Sequence, residues 1–157
     1  MRHEGSKLEL RTRFLVIRIL LVVLALSMAS PSAPLPTVRV EHPSGAVLEL
    51  TTFGAHVTSF TTSAGQALLF LSSKAALDGS KPIRGGIPIA FPQFAAQGPL
   101  PMHGFARTSI WTLDSVGDGT AQLSLRDSDA TRALWPHAFR LVYNIAFDDG
   151  GLSTTLQ

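Results

Sequence analysis

The sequence predicts an all-β fold of antiparallel, sandwich-like type, and three observations carry the prediction. Past residue 37 the apolar residues fall in short runs of period two, the repeat of a half-buried strand. Clusters rich in Gly, Pro and Asp separate those runs at the spacing of turns. No stretch of the body sustains a helical period, and no internal repeat recurs at a fixed interval.

Residues 38–41 (VRVE) and 46–50 (AVLEL) alternate on either side of HPSG (42–45). This is a hairpin in which Pro43 presets one turn dihedral and Gly45 supplies another. Residues 56–60 (HVTSF) follow Gly54 as the next strand, and SAGQ (63–66) turns into the apolar run LLFL (68–71), read as a further strand. AQLSLR (121–126) follows the turn-rich SVGDGT (115–120), RLVYNIAF (140–147) is long and β-rich, and DDGG (148–151) turns into LSTTLQ (152–157). KAALDG (74–79) and DSDATRALW (127–135) read as loops with room for one helical turn each. A strand that starts so near the last residue would offer unpaired backbone groups. The expectation is therefore part of a larger fold, from a truncated or incompletely predicted gene product.

Residues 1–30 are a separate object. FLVIRILLVVLALSMAS (14–30) is an apolar run broken only by Arg18, with basic residues before it and a Ser-x-Ala pattern at its end. It reads as an N-terminal hydrophobic helix that is a cleaved signal peptide or an uncleaved signal anchor, with an organelle-targeting segment or a misplaced start as alternatives. The expected location is the secretory pathway or a membrane anchorage if this leader is used, and the cytoplasm otherwise. Residues 31–37 are proline-rich and read as an extended linker.

One domain is expected of 157 residues, and 45% hydrophobic against 15% charged residues supports a packed core rather than disorder. The first thirty residues hold five Lys/Arg and two acids, leaving eight against nine in the body. The body therefore has no basic surface of the kind that binds nucleic acid, and membrane contact is expected only through the leader. Cysteine is absent, which excludes disulfides and zinc–thiolate chemistry. No histidine pair has helical ligand spacing, so no metal is expected.

The chemistry concentrates in PIRGGIPIAFPQFAAQGPLPMHGFAR (82–107), where Arg84 and Arg107 close off a stretch with no other fixed charge. Two converging guanidinium groups make a clamp for phosphate or carboxylate. The prolines and glycines between them let the chain double back, and Gly85 and Gly86 would let backbone N–H groups approach a ligand. Ile83, Ile87, Ile89, Phe91, Phe94 and Phe105 would wall a concave site. The plainer alternative is that each arginine caps a carbonyl or pairs with an Asp, and that His103 is a satisfied loop histidine. His42, His56 and His137 receive no role.

LDGSKPIRGGIPIAFPQF followed by GPLPMHGFARTSIW resembles the glucose-6-phosphate 1-epimerase (hexose-6-phosphate mutarotase) family, a branch of the aldose 1-epimerase superfamily. The likeness is dense from 72 to 111 and weaker over 52–60 and 134–147. It implies a partial galactose-mutarotase-like β-supersandwich over residues 38–157, and interconversion of the α and β anomers of a hexose 6-phosphate. It implies that Arg84 and Arg107 bind the 6-phosphate, that Gln93 and Phe94 line the sugar pocket, and that His103 lies in it near the anomeric and ring oxygens. Asp78 and Lys81 become candidates for loop support or ligand contact.

Mutarotation needs a base for the C1 hydroxyl proton and an acid for the ring oxygen, each typically contributing ~10²–10⁴-fold. No metal or organic cofactor is required. The resemblance places the family's acid histidine and base glutamate in a later segment with no match here. Glu41, Glu49, Asp78, Asp114 and Asp118 do not sit in the base motif, and His137 is not at the acid position. Met102 stands where the family often has Gln. The expectation is thus a monomeric epimerase, or its N-terminal part, with His103 in a supporting role. The alternatives are a non-catalytic carbohydrate or sugar-phosphate-binding module and a membrane-tethered structural β-domain.

Overall fold

The structure, a computed structural model, describes residues 33–157. The expected leader (1–30) and the first residues of the expected linker lie outside the described residues. Two antiparallel sheets are present. Strands β1 (Thr37–Glu41), β2 (Val47–Thr51) and β3 (His56–Thr61) form one, in the order β1-β2-β3. Strands β4 (Thr112–Gly117), β5 (Thr120–Arg126), β6 (Arg140–Phe147) and β7 (Leu152–Leu156) form the other, in the order β4-β5-β6-β7.

Period-two alternation decides which face of each strand turns inward. On β6, Leu141, Tyr143, Ile145 and Phe147 are buried, and on β5 Ala121, Leu123 and Leu125 match them. They join Val40, Leu48, Leu50, Val57 and Phe60 of the other sheet in one core cluster. Each such aliphatic or aromatic side chain contributes roughly 1.5–3 kcal/mol on burial. Trp111, at the entry to β4, packs edge-on against Tyr143 and donates its indole N–H to Ala106 O at 2.9 Å. The indole is thereby buried without an unmet donor.

A bulge corrects the β2–β3 alternation. Glu49 faces Ser59, yet Leu50 faces Val57, which leaves Thr58 unpaired in register. Without that extra residue Val57 would point outward while Phe60 pointed inward. With it both are buried, and the Thr58 hydroxyl donates to Glu49 O at 3.1 Å.

Several elements differ from the sequence reading. Residues 68–71 are not a strand: only the isolated bridges Thr61↔Ala67 and Leu71↔Gly85 form here, and Leu68 and Phe70 are exposed. This run packs along the 84–87 segment instead of extending the sheet, since Gly86 N–H donates to Phe70 O at 2.8 Å. Strand β4 was not anticipated. Its pattern is almost wholly exposed, with Val116 half in solvent, so it carries little apolar alternation to read. The segment 127–135 holds a true helix, Asp129–Leu134, started by a capping box between Ser128 and Thr131. Residues 74–79 hold no helix. Within the expected linker, Leu35 N–H donates to Leu77 O at 2.7 Å and β1 begins at Thr37.

Candidate functional site

The site begins at the N-terminal end of β3. His56 and Val57 are both buried there, and residues 85–87 run beside them. Ile87 N–H donates to Val57 O at 2.9 Å, and His56 Nε2 lies 2.8 Å from Gly85 O. Gly86 has φ of +61°, and a Cβ there would sit 2.2 Å from Val57 O. The glycine is required by this close backbone approach. Its N–H is committed to Phe70 O, so the expectation that it serves a ligand is corrected.

Beyond residue 91 the chain loops out and returns parallel to itself. Phe91 pairs with Gly104, and Phe91 O accepts from Phe105 N–H at 3.0 Å and Ala106 N–H at 3.2 Å. Phe91 also packs edge-on against Phe105 and against Trp135, and tilted against Phe139. This aromatic contact fixes the far end of the loop against the approach to β6. Arg107 follows directly, in a 3-10 turn spanning Ala106–Thr108.

The loop thereby brings Arg84, Phe94, His103 and Arg107 to one cleft of about 290 Å³, with Ile83 and Ile89 among its apolar walls. Of the other residues expected as walls, Ile87 and Phe91 pack on the core from partly buried positions, and Phe105 is buried. Among the described residues no carboxylate lines this cleft. Among the described residues, neither Arg84 nor Arg107 makes an ion pair; those formed are Arg39 with Glu41 and Glu49, and Arg132 with Asp127. Burial, and then the charge of Arg84, pull Arg107 below the ordinary guanidinium range. The two cations thus repel one another across a cleft whose described lining carries no negative charge. One Arg107 terminal nitrogen donates to Met102 O at 2.7 Å, while its buried Nε has no protein partner. Two cations without a carboxylate partner at one cleft suit an oxyanion, which would relieve the repulsion.

His103 adopts φ of +65°, a left-handed conformation uncommon for a residue with a side chain. Two bonds to one loop residue hold it there: its N–H donates to Ala95 O at 2.8 Å, and its Nδ1 accepts from Ala95 N–H at 3.1 Å. Because Nδ1 accepts, the neutral ring carries its proton on Nε2. His103 therefore offers a donor to an oxygen in the cleft it lines. Phe94 meets the imidazole edge-on at 5.1 Å between ring centroids and is otherwise largely exposed.

Gln93 is placed differently from the expectation, since it does not line the cleft. Its carboxamide donates to Ala95 O and Leu100 O, each at 3.1 Å, and accepts from Leu100 N–H at 3.2 Å. It staples the loop that carries His103. Asp78 accepts from the backbone and hydroxyl of Ser80, and Lys81 is exposed; neither lines the cleft. His56 was given no role by sequence reasoning. Its partner stands 29 residues away, and no local pattern signals such a contact. A larger, shallower depression of about 580 Å³ lies at the β4–β5 and β6–β7 turns. It is lined by Asp118 and Asp148 with His42, the wrong charge for an anion. Among the described residues no three His, Asp or Glu side chains gather at metal-binding distance.

A model of the aldose 1-epimerase family matches residues 36–157. The chain belongs to the aldose 1-epimerase family. It is 38% identical over 112 residues to a Cenchrus ciliaris protein named "Putative glucose-6-phosphate 1-epimerase", covering 66% of this chain and 34% of that one. A protein of the same name from Escherichia coli strain K12 is 41% identical over 95 residues, covering 57% and 32% respectively. The chain thus spans about a third of the length of the curated relatives it matches. Among solved structures, the Slr1438 protein of Synechocystis sp. PCC 6803 superposes with a TM-score of 0.68 at 31% identity, over 83% of this chain and 50% of that one. A "putative mutarotase (YeaD)" from Salmonella typhimurium gives 0.62 at 34% identity, over 71% and 40%. The two-sheet architecture is therefore that of this aldose 1-epimerase family fold, and residues 36–157 correspond to part of it.

Proposed function

We propose that this chain binds a hexose 6-phosphate at the Arg84–Arg107 cleft, as part of an epimerase that interconverts the α and β anomers. The observation that carries the reading is the pair of guanidinium groups at one apolar-walled cleft, with no carboxylate partner for either among the described residues. The names of the curated relatives point to the same substrate. In this reading the phosphate lies between the two arginines and draws on their planar forks of donors. The sugar ring then lies toward Phe94 and His103. The His103 Nε2–H donates to a sugar oxygen, and the apolar Phe94 ring faces the C–H surface of the sugar.

Anomer exchange proceeds when a base removes the C1 hydroxyl proton and an acid protonates the ring oxygen. The C1–O5 bond breaks, the C1–C2 bond rotates, and the ring recloses on the other face. Proton transfer alone balances this sequence, so it requires no metal or organic cofactor. The phosphate is remote from C1, and its binding energy serves to orient the reacting carbon. His103 holds an oxygen by donation, a supporting role. The base for C1 is not among the residues lining the cleft.

Isothermal titration with glucose 6-phosphate tests the binding. Replacing both arginines by Ala is expected to weaken it by at least ~2 kcal/mol, the scale of charge-assisted hydrogen bonds left unmade. Unchanged affinity in that double variant would remove the clamp. NMR saturation transfer between the anomers of glucose 6-phosphate separates an epimerase from a binding module. Exchange no faster than in buffer would leave only binding.

A further inference from the structure

We infer that His56 is a positioning residue for the anion cleft, holding Arg84 in place through the carbonyl of Gly85; this rests on the proposed reading of that cleft. The imidazole is 1% exposed at the first position of β3. Its Nε2 lies 2.8 Å from Gly85 O. A carbonyl oxygen only accepts, so the ring carries a proton on Nε2 and donates it.

The geometry around Arg84 makes this contact consequential. Arg84 is followed by two glycines with φ of +97° and +61°, the most permissive backbone a chain has. Left to itself, such a segment would let the Arg84 Cα wander and lose the orientation on which a clamp depends. The structure holds it from two sides. On one side Ser72 N–H donates to Arg84 O at 3.0 Å, and Phe70 O accepts from Gly86 N–H. On the other, His56 reaches Gly85 O and Val57 O accepts from Ile87 N–H. Among these ties, only that of His56 comes from a side chain, so only this one is set by residue type. The fit is close: a Cβ on Gly86 would come within 2.8 Å of His56 Nε2. Glycine at 86 and histidine at 56 therefore fit as a pair.

A buried histidine could equally be an ordinary part of the core, and a mutant cycle separates the two roles. Affinity of the full chain for glucose 6-phosphate and for inorganic phosphate is measured by ³¹P NMR titration. The buried Trp111 indole N–H resonance reports the fold. His56→Leu is expected to keep that resonance and to weaken both ligands about 3- to 10-fold, the effect of one lost hydrogen bond. His56→Gln, whose amide still donates, is expected to recover most of the loss. In the Arg84→Ala background, His56→Leu is expected to have no further effect, because its influence passes through Arg84. A full additional loss in that background, unchanged affinity in His56→Leu, or loss of the Trp111 resonance would each overturn the inference. Failure of the unaltered chain to bind either ligand would overturn the reading of the cleft itself, and is recognised before any substitution is made.

Discussion

Arg107 and Arg84 are unequal partners at the cleft. Arg107 is half-buried and tied to Met102 O, with a buried Nε that has no protein partner, whereas the Arg84 side chain is exposed and makes no hydrogen bond or ion pair among the described residues. Lysine offers a point charge without the fork, so the two positions should respond differently to it. Arg107→Lys is expected to lose more glucose 6-phosphate affinity than Arg84→Lys, by about 1 kcal/mol, in side-by-side titrations. Equal losses would mean that only charge matters. Gly104 presents a steric case: its φ is +71°, and a Cβ would sit 2.1 Å from Phe91 O. Gly104→Ala should destabilise the fold by roughly 2–4 kcal/mol, read from a urea midpoint. Arg84, Arg107, His103 and Phe94 were legible as site candidates because their residue types and family motif carry the chemistry. Gln93, expected to line the sugar pocket, bonds instead to Ala95 and Leu100, and its sequence position does not disclose that the loop beyond it folds back over its carboxamide.

The loop from Phe91 to Arg107 behaves as an element in its own right although it contains almost no regular structure. Its order comes from the Gln93 carboxamide, the His103–Ala95 pair and the aromatic contacts of Phe91. Gln93→Leu should therefore lower stability by about 1–3 kcal/mol, because it leaves Leu100 N–H and several carbonyls without their partner. Gln93→Glu should not rescue it, since a carboxylate cannot donate; thermal melts of the two variants decide the point. The short helix Asp129–Leu134 depends on its cap in the same way. Ser128→Ala is expected to cost about 1 kcal/mol in a denaturant titration. Strands with clean alternation were legible: 140–147 emerged as β6 with the expected bounds. Residues 68–71 misled because an apolar run has the same appearance whether it joins a sheet or lies along a loop.

At the scale of the molecule, the buried imidazole ties stability to pH. Burial holds the His56 pKa below its ordinary 6.5, and the hydrogen bond to Gly85 O opposes this in part. The folded chain thus binds this proton less readily than the unfolded chain. His56 leaves stability undiminished above 6.5 and subtracts from it as the pH falls below that value toward the folded pKa. The urea midpoint should fall between about pH 7 and about pH 5.5, and fall less in His56→Gln. An identical pH dependence in the two proteins would rule this out. Asp127 acts in a separate window. Its bond to the Arg132 side chain, then that to Phe139 N–H, lowers its pKa from 3.8, so its contribution is present above that value and lost as the pH falls through the folded pKa.

By itself the sequence determined the two-sheet β character, the hairpin at 42–45 and the family motif with its two arginines, because period-two burial and residue chemistry are local properties. The tertiary structure alone decided that Arg84 and Arg107 share a cleft that no described carboxylate lines, that Gln93 bonds to the loop, and that His56 meets Gly85. Each of these depends on which distant backbone comes to lie alongside, and that is set by packing rather than by any neighbouring residue.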